Sequence, residues 1–241
     1  MIEASVAIRT PDGEMPAFVC RPEFRQAKAV VVMLMDGRGM REALRDNARR
    51  LASVGYYILL PNLYYRSGAD VEDVPDDLET MRAYAAPLTR QSAPLDVAAC
   101  LDFAASDPAA AASSPIGLIG YCMGGRLAVV AAQGLGSRIT AVASLHPGSM
   151  ATRSPDSPHL HLDRISAEIY FGVPEHDPYL SPGAVGRLTE ALDAAGANYD
   201  LEVLAGAQHG YSTPGNDGYS KPAAERAWER TLELFDRRLR A

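Results

Sequence analysis

The sequence predicts an α/β fold: a mostly parallel, twisted sheet with an antiparallel hairpin at its N-terminal end and helices on both faces. Three observations carry this. Short apolar segments alternate with helical ones along the whole chain. Residues 29–35 are continuously apolar, as expected of a strand buried on both faces. Pro11-Asp12-Gly13, a turn signature, separates two short extended segments, which reads as a hairpin.

The elements follow in order. Residues 6–9 and 16–20 are the arms of the hairpin, and 29–35 is the first buried strand. Residues 41–54 have helical periodicity, with Leu44, Ala48, Leu51 and Ala52 on one face. Residues 56–60 form a strand stopped by Pro61. Residues 68–78 carry Asp70, Glu72, Asp73, Asp76 and Asp77 and read as a solvated acidic loop. A helix over 95–105 runs into an Ala/Ser-rich stretch to 114, read as helix end and loop. Strand 116–119, helix 123–133 and strands 139–145 and 167–172 come next. Helix 184–195 and strand 199–204 precede a final amphipathic helix over 223–239, with Trp228, Leu232 and Phe235 toward the core. No internal repeat is evident, and residues 1–241 are expected to form one domain.

Gly120-Tyr121-Cys122-Met123-Gly124 has the spacing of a nucleophile elbow, with cysteine where serine usually stands. It lies between a predicted strand and a predicted helix, the context the motif requires. The small flanking residues let the two arms of the turn pass. Cys122 would project above the sheet, with the Met123 amide directed into the same space. The plainer alternative is a buried structural cysteine.

A triad of this type follows the order nucleophile, acid, histidine. Asp177 lies in the loop expected after strand 167–172, and His209 follows strand 199–204. Cys122, Asp177 and His209 are therefore the candidate catalytic residues. The imidazole must reach the thiol, and the carboxylate must hold the imidazole. His176 is a rival base, but it precedes the acid and has no strand of its own. His159 and His161 flank Leu160 without a third ligand at suitable spacing, so a solvated pair is expected and no metal.

Composition limits the function classes. Of the 241 residues, 47% are apolar and 22% charged, ordinary values for a globular protein. The net charge of −7 argues against a nucleic-acid partner. No apolar run approaches the ~20 residues of a membrane span. The first residues lack a secretory pattern, and the three scattered cysteines suggest neither disulfides nor zinc, so a cytoplasmic location is expected. Cys100 and Cys20 read as structural residues.

Gly120-Tyr121-Cys122-Met123-Gly124-Gly125, the Asp177 loop, Ala207-Gln208-His209-Gly210 and Leu60-Pro61-Asn62-Leu63-Tyr64 together give the chain a resemblance to the dienelactone hydrolase family, over nearly its whole length. The resemblance implies an α/β-hydrolase fold without a separate cap domain. It implies a cofactor-free hydrolase of a small lactone or ester, with Cys122 as nucleophile, His209 as base and Asp177 as its orienter. It also implies a carboxylate that follows the first parallel strand and contacts the resting cysteine. Asp36 occupies that place with one methylene fewer than the family's glutamate, and helix capping or a salt bridge to Arg38 or Arg41 is the alternative. The same loop is expected to supply the second oxyanion amide, from Asp36 or Gly37, beside that of Met123.

Family members that cleave dienelactone are expected to grip its carboxylate with arginines, one of them just past the catalytic histidine. Here Gly210-Tyr211-Ser212-Thr213-Pro214 follows His209, with no arginine. Arg82 matches the other family arginine, and Arg38 and Arg66 are further candidates. His146, at the end of strand 139–145, is expected to line the pocket. Tyr64, Tyr65, Tyr121, Tyr179 and Tyr211 are candidates to join it, Tyr121 being equally suited to pack beneath the elbow. Two function classes follow: a cysteine-dependent lactone or ester hydrolase, or a non-hydrolytic binding protein for a small molecule on the same fold. The expected partner is a small ester or lactone, with no nucleic acid or membrane, and the expected state is a monomer or weak homodimer.

Overall fold

The computed structural model describes residues 1–24, 26–68, 74–75, 77–110 and 115–239. Its strands are β1 (Ile2–Thr10), β2 (Gly13–Arg21), β3 (Val30–Leu34), β4 (Tyr57–Pro61), β5 (Ile116–Tyr121), β6 (Ala141–Leu145), β7 (Glu168–His176) and β8 (Tyr199–Gln208). Its helices are α1 (Glu42–Ser53), α2 (Leu78–Ala85), α3 (Ser92–Ser106), α4 (Met123–Leu135), α5 (Pro182–Ala194) and α6 (Lys221–Arg238).

The strands form one sheet in the order β1-β2-β4-β3-β5-β6-β7-β8. β1 and β2 pair antiparallel, with Thr10 opposite Gly13, so Pro11 and Asp12 make a two-residue turn. β2 also runs antiparallel to β4, and every later pair is parallel. Every residue of β3, β4 and β6 is buried, as a strand covered on both faces requires. The two faces are visible on β5. A methyl on Gly117 would touch Leu239 and Phe235 at the end of α6, whereas one on Gly120 would strike α4. Three residues apart on a strand means opposite faces. Arg50 of α1 pairs with Glu225 of α6 (2.6 Å) and covers Trp228, so α1 and α6 share a face. On the other face α3 and α4 approach closely, and a methyl on Gly134 would lie 2.5 Å from Pro94.

Several elements differ from expectation. α2, absent from the predicted elements, begins at Leu78, the last residue of the predicted acidic loop: Asp77 accepts from the N–H groups of Glu79 (3.2 Å) and Thr80 (3.1 Å) and caps the helix. Asp70, Glu72, Asp73 and Asp76 lie outside the described residues, as does the Ala/Ser stretch 111–114. α3 starts at Ser92 rather than residue 95, because Pro94 falls in its first turn, where a missing N–H costs nothing. β7 runs on to His176 through an irregularity at Pro174, so the predicted polar loop begins only at Asp177. On α6 the core residues are Trp228, Leu234 and Phe235, while Leu232 is half-buried.

Candidate active site

The site starts from a steric constraint. β5 ends at Tyr121, α4 begins at Met123, and Cys122 between them has φ 53° and ψ −114°. That positive φ is strained for any residue with a side chain. The flanking glycines allow it. A methyl on Gly120 would lie 2.1 Å from the Gly124 carbonyl oxygen, and one on Gly124 would lie 2.2 Å from that of Leu34. The Cys122 N–H donates to Leu145 O of β6 (3.0 Å). The turn is thus locked between the ends of β3 and β6, with the thiol above the sheet. Met123 opens α4, where the first N–H groups have no intrahelical acceptor.

Two further strand ends complete the line. His209 Nε2 stands 2.9 Å from Cys122 Sγ, and His209 Nδ1 stands 2.8 Å from Asp177 Oδ2. Asp177 Oδ1 accepts from the Tyr179 N–H (2.7 Å), which fixes the carboxylate plane. The Asp177 side chain is fully buried. The rings of Tyr179 and His146 contact the His209 ring edgewise, with centroids 4.7 and 5.1 Å away. Burial opposes the imidazolium, but the hydrogen bonds to Asp177 and Cys122 outweigh it and push the His209 pKa up to about 10. The ring is therefore held in its charged form at neutral pH. His176, the rival, is exposed and faces Glu175 at 3.9 Å. The other cysteines, Cys20 and Cys100, are buried, and burial raises the pKa of both.

A cavity of about 350 Å³ opens over this line. Cys122, Met123, Gly37, Asp36, His146 and Arg82 all line it, as do Tyr64 and Tyr179. Gly37 is held from both sides: its carbonyl accepts from the Tyr64 hydroxyl (2.8 Å), and a methyl on it would lie 2.8 Å from Met81 Sδ of α2.

Asp36 does not hydrogen-bond to Cys122 among the described residues. It pairs with Arg41, both side chains being buried, and accepts from the Arg38 N–H (3.0 Å). Arg41 also donates to Asn216 Oδ1 (2.8 Å). Of the alternatives open for Asp36, the geometry selects the salt bridge, and with Arg41. Its missing methylene and a guanidinium five residues away explain the outcome.

Tyr121 and Tyr211 lie outside the cavity. Tyr121 is buried beneath the elbow with its hydroxyl toward Asn47. Tyr211 is buried behind His146 and donates to Gly172 O (3.1 Å). Each neighbours a site residue in sequence but points to the opposite side. Tyr65 instead bonds Thr10 and Asp96. His146 is wholly buried, with φ 37°, and its Nε2 lies 2.6 Å from Ser212 Oγ. Burial and the nearby charge of His209 keep it neutral, its pKa well below the ordinary value.

The arginines divide. Arg66 is tied to Asp96 by two bonds of 2.7 Å, away from the cavity. Arg38 lines the cavity and donates to Gly215 O (3.1 Å). Arg82 is exposed at the rim. Arg126 of α4 also lines the cavity, although no sequence pattern singled it out. A signal was present, since four residues on a helix place it on the same face as Cys122. His159 and His161 are half-buried, and His159 bonds Ser157 at 2.8 Å. Among the described residues no group of three potential metal ligands occurs and no helix is long and apolar enough to cross a membrane.

Comparison with known proteins agrees with this architecture. The model of the "Dienelactone hydrolase family" matches residues 15–239. A "Putative carboxymethylenebutenolidase" of Salmonella typhi is 28% identical, over 96% of this chain and 91% of its own. A "Probable 2-oxo-3-(5-oxofuran-2-ylidene)propanoate lactonase" of Bradyrhizobium is 26% identical, over 94% and 91%. Among solved structures, a "Putative Dienelactone Hydrolase" of Klebsiella pneumoniae superimposes with a TM-score of 0.88 at 23% identity, covering 98% of each chain. The likeness extends to the α/β-hydrolase fold expected from the sequence.

Proposed function

The chain belongs to the dienelactone hydrolase family and is a lactone or ester hydrolase; from that premise we propose that it works through a Cys122–His209–Asp177 triad on a small lactone or ester. The observation that carries the proposal is the unbroken hydrogen-bonded line from Cys122 Sγ through His209 to Asp177, at 2.9 and 2.8 Å. A protein that only bound a small molecule would leave that line without a purpose.

With the proton shared by the pair on His209 Nε2, Sγ bonds to the substrate carbonyl carbon. The carbonyl π pair moves onto oxygen, where the amides of Met123 and Gly37 receive the charge. Two such donors are worth on the order of 3 kcal/mol each. Asp177 holds the imidazole's orientation and stabilises its charged form. As the C–O bond breaks, His209 returns its proton to the leaving alkoxide, which in a lactone remains tethered to the acyl group. Water then adds to the thioester, His209 takes a proton from it, the C–S bond breaks, and the thiol is restored. The cavity admits a small substrate, and its wall of Tyr64, Met81, Met123 and Tyr179 suits an unsaturated or otherwise apolar acyl group.

Rapid quench of the protein with an activated aryl ester, followed by peptide mapping by mass spectrometry, tests the reading. An acyl adduct on the peptide containing Cys122, decaying at the turnover rate, is expected. Turnover with no adduct on that peptide would overturn it.

A further inference from the structure

Arg126 lies on α4 four residues after Cys122, which precedes the helix, and its N–H donates to the Cys122 carbonyl (3.3 Å), so the two stand one turn apart; its stem leans back toward the helix N-terminus. Its side chain lines the cavity with Cys122 and Met123. Arg126 is half-buried, and its guanidinium meets no carboxylate and no hydrogen-bond acceptor among the described residues. A cation withdrawn from water without a counter-charge is costly, and burial lowers its pKa while the charge of Cys122 works to raise it. Arg41 is engaged with Asp36, and Arg66, away from the cavity, with Asp96.

The charged and titratable groups around the thiol come from every element packed against the cavity. His209 and Asp217 follow β8, Asp36 with Arg41 and Arg38 follow β3, Tyr64 follows β4, His146 follows β6, Asp177 and Tyr179 follow β7, Arg82 lies on α2 and Arg126 on α4. Asp36 is balanced by its partner. Burial holds the Tyr64 hydroxyl and the His146 ring in their neutral forms at neutral pH. Arg82 is exposed at the rim and Arg38 donates to Gly215 O, so His209 and Arg126 are the positive charges next to Cys122 itself.

We propose that Arg126 is a charge-stabilising residue for the reaction: it supports the negative charge on Cys122 Sγ while His209 holds the proton the two share, and then on the carbonyl oxygen at the N-terminus of α4. The inference rests on Cys122 being the nucleophile. It gives an unpaired, half-buried cation an anionic partner, and the oxyanion part of that partnership exists only while the reaction proceeds, which is the condition for lowering a barrier.

Alkylation kinetics test it, with iodoacetamide (neutral) and iodoacetate (anionic) followed against pH for wild type, Arg126→Gln and Arg126→Lys. Labelling is read on the peptide containing Cys122. If Arg126 acts on the sulfur, Arg126→Gln slows iodoacetamide on the order of tenfold near neutral pH, the size expected of unit charges one helical turn apart in a partly buried site. Arg126→Lys should recover most of that rate, because it keeps the charge. Should the Gln variant fail to fold, Arg126→Met, which keeps the apolar stem, makes the same comparison. Iodoacetamide profiles that superimpose on wild type, with iodoacetate alone slowed, would overturn the proposal, since Arg126 would then only attract anions. Full ester turnover by Cys122→Ala would instead sink the nucleophile assignment, whatever Arg126 does.

Discussion

His146 and His209 stand edge to face with ring centroids 5.1 Å apart, and their surroundings drive them in opposite directions. Burial, reinforced by the charge of His209, holds His146 neutral. His209 is also opposed by burial, yet Asp177 and Cys122 carry it up to about 10.

Stability against pH should show both signs. His146 has a depressed folded pKa, so its contribution is present above the ordinary value of 6.5 and is lost as pH falls below it. His209 has a raised folded pKa, so its contribution is complete below 6.5 and is lost as pH rises through about 10. Urea midpoints measured across this range should fall on both sides of neutrality. His146→Phe should blunt the acid limb, and His209→Asn the alkaline one. Variant curves parallel to wild type on those limbs would contradict the assignments.

Loss of the thiol should separate chemistry from folding. Cys122→Ala is expected to lower kcat by at least about three orders of magnitude, and His209→Ala by as much, because members of a triad act as a unit. The melting temperature of Cys122→Ala should stay close to wild type. His176→Ala, altering an exposed residue, should keep most activity. Steady-state turnover of an aryl ester for the three variants decides it, and equal losses at His176 and His209 would require another base.

The Asp36–Arg41 pair should matter more to stability than to the thiol. Asp36→Ala strands a buried guanidinium and is expected to cost about 3–5 kcal/mol in urea unfolding. Asp36→Asn keeps the shape and an acceptor. Its iodoacetamide profile against pH should stay close to wild type, because the carboxylate spends its hydrogen bonds on Arg41 and the Arg38 N–H rather than on Cys122. A faster-labelling Asp36→Asn protein would show that the carboxylate does restrain Cys122.

The elbow glycines tolerate no side chain. A methyl group added at Gly120 or Gly124 would lie 2.1 or 2.2 Å from a carbonyl oxygen, a backbone atom that cannot move aside. Gly120→Ala and Gly124→Ala should each destabilise by about 3 kcal/mol or more and lower activity in whatever folds. Gly186→Ala, where nothing lies within 4 Å, is the control and should be neutral or slightly stabilising. Similar melting temperatures for all three variants would refute the steric account.

What the sequence disclosed depended on whether the signal was local. The elbow was legible because its glycines and cysteine are consecutive, and the order of Asp177 and His209 after their strands followed from strand patterns. α2 was hidden by its acidic approach, although Asp77 two and three residues before Glu79 and Thr80 is a capping signal. Pro94 reads as a break until its position in a first turn makes it harmless. The choice of Arg41 by Asp36, and the inward turn of Tyr121 and Tyr211 away from the cavity, depend on how separate elements approach, which no short pattern encodes.

The position of α2 divides labour within the molecule. Leu78, Met81, Arg82 and Ala85 all face the cavity from this one eight-residue helix, whereas the reacting groups hang from the ends of β5, β7 and β8. The tool and the gauge that selects its workpiece are therefore separate parts. Exchanging the α2 side of the gauge would leave the tool in place, so that part of the wall could be reshaped by rewriting a single connector without moving the reacting groups.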